Sequence, residues 1–332
     1  MNPNEQPNPT ELADAVRAGQ RAALATALNL LDDKRSTSRP VAAAFLACLQ
    51  RDNGGAQGRL IGMTGPPGAG KSSLTAALIS VWRQRGLRVG VLAVDPSSPI
   101  SGGALLGDRL RMKTSSEDDG VFVRSLACRG EFGGLSAEVW PMSLVMLAAF
   151  DVTLIETVGV GQREIDVSRM CDTTCYVAQP GSGDSVQFLK AGILEVPHIL
   201  VVNKEDMGAV ARRTLSELGA AMSREHSDGH WQVPVLSASA TRGSGIEALA
   251  DAMEQHHILL QSQHALESRR QHYQGQWIIK RLHEEFGSFG IRTLGGEPEI
   301  LAQLQAQQAV PLFEQYEKLR QRLYSNYNDT SN

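Results

Sequence analysis

The residues Gly65-Pro66-Pro67-Gly68-Ala69-Gly70-Lys71-Ser72 bring together what a polyphosphate needs from a protein. They fit the spacing G-x-x-x-x-G-K-[ST] without a mismatch. Glycines let backbone N–H groups turn inward around phosphate oxygens, where side chains would block them. Lys71 supplies a cation for the β- and γ-phosphates, and the Ser72 hydroxyl is a hard oxygen ligand for Mg²⁺. Ser73 continues into the apolar-spaced run Leu74-Thr75-Ala76-Ala77-Leu78-Ile79, whose helix would direct its positive N-terminal end at the same anion. The chemistry implied is binding and cleavage of a nucleoside triphosphate.

A second constellation chooses the base. Asn203-Lys204-Glu205-Asp206 reads N-K-x-D, about 130 residues after the phosphate loop. An aspartate carboxylate accepts from N1–H and the 2-amino group of guanine, whereas adenine offers neither donor. The Lys204 stem can cover a face of the base, and Asn203 can brace the loop. Ser237-Ala238-Ser239 resembles the S-A-x element whose backbone N–H meets guanine O6. These features favour GTP over ATP. Glu156-Thr157-Val158-Gly159 stands in the place of D-x-x-G, with a carboxylate near Mg²⁺ and the Gly159 N–H for the γ-phosphate. Glutamate in place of aspartate suggests contact with the metal through water. Val160 occupies the position where many GTPases carry a water-orienting Gln, so intrinsic hydrolysis is expected to be slow. Asp95 and Asp108 are further oxygen ligands within reach of Mg²⁺, and Asp108 fits a helix cap equally well. The polar loop Pro180-Gly181-Ser182-Gly183-Asp184-Ser185 leads to Lys190 and reads either as a turn or as a third switch segment. The catalytic candidates are Lys71, Asp108, Glu156 and Lys190; the metal candidates are Ser72, Asp95, Asp108 and Glu156.

The elements that must position these groups follow from the apolar pattern. Leu60–Met63, Val89–Val94, Asp151–Glu156, Thr174–Ala178, His198–Val202 and Val233–Leu236 are mainly apolar runs of strand length without alternation. Such runs suit strands buried on both faces. Helical stretches at Leu135–Ala149, Ala209–Arg224 and Gly245–Leu260 alternate with them. The expected fold is α/β, a doubly wound and mainly parallel sheet with ligands outside the carboxyl ends of its strands. Asp95, Glu156 and Asn203 each close a strand. Residues 1–10 are expected to be a disordered tail, 11–55 a helical segment whose second part opens near Pro40, 56–261 the nucleotide-binding domain and 262–332 a helical arm. In that arm Trp277, Ile278, Leu282 and Phe286 form an apolar face that reads as core packing or as a dimerisation surface. A glycine-rich break is expected at Gly287–Gly296.

A formal charge of −4 on 332 residues argues against nucleic acid as the main partner. No apolar stretch approaches the length of a membrane span, about 20 residues, and the N-terminus lacks the pattern of a secretory signal. Cytoplasmic residence is expected. Cys171 and Cys175 read as core cysteines rather than a metal pair. His256-His257 with His264 is the loose candidate for a transported metal, set against a solvated helix face.

The motifs above, with Val94-Asp95-Pro96-Ser97-Ser98-Pro99, Ser101 to Met112 and Glu156-Thr157-Val158-Gly159-Val160-Gly161-Gln162, closely resemble the methylmalonyl-CoA mutase-associated GTPases of the MeaB/ArgK-like type, in the SIMIBI class. The resemblance runs from about residue 10 to residue 325 and includes Val160. It implies a homodimer that binds GTP/GDP and Mg²⁺. The implied partner is an adenosylcobalamin-dependent methylmalonyl-CoA mutase, which the GTPase protects and whose cofactor loading it gates. An arginine/ornithine-transport kinase and a GTP-dependent metal-insertion protein are the competing readings.

Overall fold

A computed structural model describes residues 7–51, 58–95, 118–127, 138–157, 167–181, 197–222, 231–307 and 310–330. In chain order its elements are α1 (Pro9–Arg17), α2 (Arg21–Asp32), α3 (Arg39–Arg51), β1 (Arg59–Thr64), α4 (Lys71–Gln84), β2 (Val89–Asp95), β3 (Val121–Ala127) and α5 (Val139–Ala149). They continue as β4 (Val152–Thr157), β5 (Thr173–Ala178), β6 (Ile199–Val202), α6 (Ala209–Met222), β7 (Val235–Ser237), α7 (Ile246–Ser262), α8 (Ala265–Thr293), α9 (Glu297–Ala306) and α10 (Leu312–Thr330). By their contacts these elements divide into a sheet unit and a helical unit.

The sheet unit holds a seven-stranded sheet among the described residues, in the order β3-β2-β4-β1-β5-β6-β7. Every pairing in it is parallel. Parallel strands need helical crossovers on both faces, which explains their near-continuous apolar sequence. On one face Leu74, Leu78 and Trp82 of α4 and Leu249 and Met253 of α7 pack against Ile61, Met63, Val91, Val177 and Val201. On the other, Ala211 and Leu218 of α6 pack against Tyr176, Leu200 and Val202. Strand β1 lies between β4 and β5, with Met63 in register with Glu156 and Cys175. That register sets Glu156 beside the start of the phosphate loop. Cys175 belongs to the apolar core and Cys171 is fully buried; burial pushes both thiols up.

The helical unit contains α1, α2, α3, α5, α8, α9 and α10. Helix α1 starts inside the stretch expected to be disordered: Asn8 caps it by accepting from Thr10 N and Glu11 N, and Pro9 fills the first turn. Pro40 lies in the first turn of α3, where a missing N–H breaks no helical bond. Of the two readings of the arm's apolar face, three of its residues take the core-packing one. Trp277, Ile278 and Leu282 are buried within the helical unit itself, Trp277 against the rings of Phe313 and Tyr316. Phe286, the fourth residue of that face, is half-buried. The expected break falls where Gly287 leaves helical geometry at φ 62°, ψ −167°, and again at Gly295 and Gly296 before α9.

Candidate functional site

Strand β1 feeds directly into the phosphate loop. Gly65 and Gly70 take φ values of 138° and 88°. A Cβ on Gly65 would strike the Val177 carbonyl oxygen, and one on Gly70 the Asn203 amide. Both positions thus require glycine for close approach as well as for conformation. Gly70 precedes α4, so the first N–H groups of the helix open onto the loop. Lys71 is buried, and its Nζ donates to the carbonyls of Gly65 at 2.7 Å and Pro66 at 3.1 Å. The ammonium is held against the loop in which a phosphate would sit. Pro67, Gly68 and Ser73 are exposed at its outer side, while Pro66 and Ala69 are buried beneath.

The Ser72 hydroxyl donates to Glu156 Oε1 at 2.5 Å, and Glu156 is only 4% exposed. Two of the four metal candidates, 84 positions apart, therefore meet through the β1–β4 register. Their donor set, a hydroxyl and a carboxylate, suits a hard cation such as Mg²⁺. Asp95 closes β2, two strands from β1 in the sheet. The side chain of Asp95, and all of Asp108, Gly159, Val160 and Lys190, lie outside the described residues.

The base motif is tied to the phosphate loop by two side chains. Asn203, 2% exposed, donates from Nδ2 to the Ala69 carbonyl at 2.8 Å and accepts on Oδ1 from Ala240 N at 3.3 Å. Lys204 Nζ donates to the Gly68 carbonyl at 2.6 Å. Lys204 holds φ 59°, a left-handed conformation uncommon outside glycine. The chain then makes a short 3-10 turn, Glu205–Met207, that presents Asp206 at the surface. Asp206 Oδ1 accepts from the Ser239 hydroxyl at 2.6 Å. That hydrogen bond, first among its causes, holds the Asp206 carboxyl below the usual range. It is an anion that only accepts, the state that guanine's two donors require.

The stretch Ser237-Ala238-Ser239 is divided between the sheet and the base motif. Ser237 ends β7 and is committed to the sheet in register with Val202. Ala238 is buried, its carbonyl taken by Glu205 N at 3.0 Å. Ser239 and Ala240 are the pair that meets Asp206 and Asn203. The repeat Ser237-Ala238-Ser239-Ala240 offers two S-A frames, of which strand pairing engages the first and the base motif contacts the second. Ala240, absent from the sequence reading, belongs to that second frame. The histidines proposed for a transported metal are separated by burial: His256 and His257 are enclosed on α7, while His264 is exposed beyond its end at φ 55°. Among the described residues no group of three or more His, Cys, Asp or Glu is arranged to hold a metal ion. No helix among them is long and apolar enough to cross a membrane.

A phosphate loop tied through Asn203 and Lys204 to the N-K-x-D motif has the arrangement of a GTP site, and comparison with known proteins names its kind. The family model described as "Methylmalonyl Co-A mutase-associated GTPase MeaB" matches residues 24–288. The chain belongs to this family. A putative GTPase of Pyrococcus abyssi is 39% identical over 294 residues, spanning 87% of this chain and 86% of the relative. The mitochondrial methylmalonic aciduria type A homolog of Caenorhabditis elegans is 32% identical, over 86% of this chain and 74% of the relative. A crystal structure named as a LAO/AO transport system kinase superposes with a TM-score of 0.69 at 28% identity, covering 83% of this chain and 84% of that one. This MeaB-family protein is a GTPase of the α/β P-loop fold that binds guanine nucleotide.

Proposed function

We propose that this GTPase is a nucleotide-controlled chaperone of an adenosylcobalamin-dependent methylmalonyl-CoA mutase, protecting the mutase and gating its cofactor loading. The observation that carries the nucleotide half is the lacing of Asn203 and Lys204 to the phosphate loop, which makes base and phosphate recognition one rigid unit. The mutase half is supported by the family's description and by the name of the worm relative. Lys71 neutralises charge on the β- and γ-phosphates, the glycines of residues 65–70 cradle them, and Asp206 with Ala240 selects guanine. Ser72 and Glu156 would hold Mg²⁺, with Asp95 and Asp108 as further oxygens; when bound, the ion neutralises charge developing on the phosphate oxygens. Gly159 and Lys190 are assigned to the γ-phosphate end. The working form is a homodimer built through the helical arm, where Phe289 and Tyr324 remain about half exposed once the core of that arm is filled. Among the described residues Cys48, Cys171 and Cys175 form no disulfide, which supports residence in the reducing cytoplasm.

The test is affinity capture from cell extract on the immobilised protein loaded with a non-hydrolysable GTP analogue, with GDP, or with nothing. Nucleotide-dependent retention of a cobalamin mutase is expected. Its absence in all three states would remove the chaperone role, and phosphoryl transfer from ATP to a small metabolite would replace it with a kinase.

A further inference from the structure

We propose that Thr241 is a positioning residue for guanine selection, acting through the Ser239 hydroxyl on Asp206. The inference rests on the base-reading role given to Asp206 above. Ser239 is held on every side. Its N–H donates to Ser244 O at 3.0 Å, its carbonyl accepts from Gly243 N at 2.8 Å, and its side chain is 99% enclosed, with 1% exposure. The hydroxyl has one proton and two lone pairs. Asp206 is ionised and only accepts, so the 2.6 Å bond to its Oδ1 takes the single proton of Ser239. The 3.1 Å contact between Ser239 Oγ and Thr241 Oγ1 must then run the other way, with Thr241 donating. Arg242 N donates to the same oxygen at 3.3 Å. Ser239 Oγ thus receives two protons and gives one, and the chain Thr241 to Ser239 to Asp206 has a single direction.

A hydroxyl that accepts from two donors is a stronger donor in turn. The short bond to a carboxylate is the strong member of the series. Its consequence is orientation as much as charge. With Oδ1 tied to a buried hydroxyl, the exposed carboxylate cannot swing freely about its last torsion. It therefore presents a fixed edge to both guanine donors at once. A carboxylate that swings would still meet N1–H but would lose its grip on the 2-amino group. The quantity at stake is therefore the preference for guanine over hypoxanthine, which lacks only that amine. Thr241 lies outside the N-K-x-D motif and is itself exposed, so its replacement leaves the core of the fold untouched.

The experiment titrates the full chain with GDP, IDP and XDP, for the wild type and for Thr241→Val, Thr241→Ser, Ser239→Ala and Asp206→Asn, between pH 4 and 8. Thr241→Val should lower the GDP-to-IDP preference by about threefold to tenfold, the worth of one modest hydrogen bond, and leave IDP affinity near that of the wild type. Its GDP binding should also fail at a higher pH on the acid side, because a less well-supported carboxylate protonates earlier. Ser239→Ala should go further in both respects, and Thr241→Ser should restore the wild-type values. An unchanged preference and pH profile in Thr241→Val would overturn the proposal, as would a Thr241→Ser variant as impaired as Thr241→Val. If Asp206→Asn leaves all three nucleotide preferences unchanged, the base reading itself falls and takes this inference with it. Sensitivity at Asp206 with insensitivity at Thr241 defeats this inference alone.

Discussion

At the scale of single residues, the proposed function requires Lys71 and Asp206 to divide the affinity for GTP between its two ends. Lys71→Ala removes a buried ammonium whose described bonds are to loop carbonyls. It should weaken GTP binding by about 2–5 kcal/mol, the range for truncating one partner of a desolvated charge pair, with little change in melting temperature. Calorimetric titration beside a thermal melt checks this, and near-wild-type affinity would refute the phosphate role. Asp206→Asn should move the preference from GTP towards XTP, since an amide can donate to the xanthine O2 where the carboxylate accepted from the 2-amine. Competition binding of the two triphosphates decides it. Lys71 and Asp206 stand out in the sequence because each sits at a fixed place in a spaced motif, G-x-x-x-x-G-K-[ST] and N-K-x-D. The S-A frame was not legible, because Ser237 and Ser239 are chemically equal and only the pairing of β7 with β6 separates them.

At the scale of elements, legibility tracked how continuous each apolar run is. Strands β1, β2, β4, β5 and β6 centre on apolar runs without charged residues at their middle, and their limits in the sequence fall within one or two residues of those in the structure. Strand β3 was missed. Its sequence Val121-Phe122-Val123-Arg124-Ser125-Leu126-Ala127 is interrupted by polar residues, because it lies at the sheet edge and pairs with β2 alone. The apolar stripe of α8 shows in the sequence, but periodicity cannot say what it packs against. Leu282, fully enclosed there, should cost about 2–5 kcal/mol of stability when cut to alanine, measured by denaturant unfolding. Beside it Glu285 ties α8 to α3 and α10. Its carboxylate accepts from Tyr316 at 2.7 Å, Arg320 at 2.8 Å, Tyr324 at 3.0 Å and Arg39 at 3.5 Å. Burial alone would raise the carboxyl, but the hydrogen bonds from Tyr316, Arg320 and Tyr324 hold it below the ordinary glutamate range. A lowered folded value means that the contribution is complete above the unfolded glutamate value of about 4.3. It fades as the pH falls from there through the folded value. Glu285→Gln should therefore lower the melting temperature at pH 7, and the gap to the wild type should narrow on acidification below about pH 4. A gap independent of pH would mean that shape, not charge, ties these helices.

At the scale of the whole molecule, chain order conceals the grouping of the elements. Helix α5 lies in sequence between two strands of the sheet, yet it packs with α1, α2 and α3 in the helical unit. Nine of its eleven residues are buried, the mark of a helix surrounded on all sides. The sequence put it in the nucleotide domain because alternation of strand and helix is a local pattern and packing partners are not. For a GTPase with Val160 where a water-orienting glutamine is common, the free protein should turn over GTP slowly. A partner that completes the γ-phosphate surroundings should raise the rate by part of the roughly 10³–10⁵-fold range reached by activation in trans. Linkage then demands that the mutase bind the GTP and GDP states with different affinity, because a ligand indifferent to the two states shifts neither. Purified mutase allows both halves to be measured: GTP turnover with and without it, and its affinity for the protein locked with a non-hydrolysable analogue or with GDP. Acceleration with unequal affinities is the expected result. No acceleration and equal affinities would leave a working GTPase whose cycle is not coupled to the mutase.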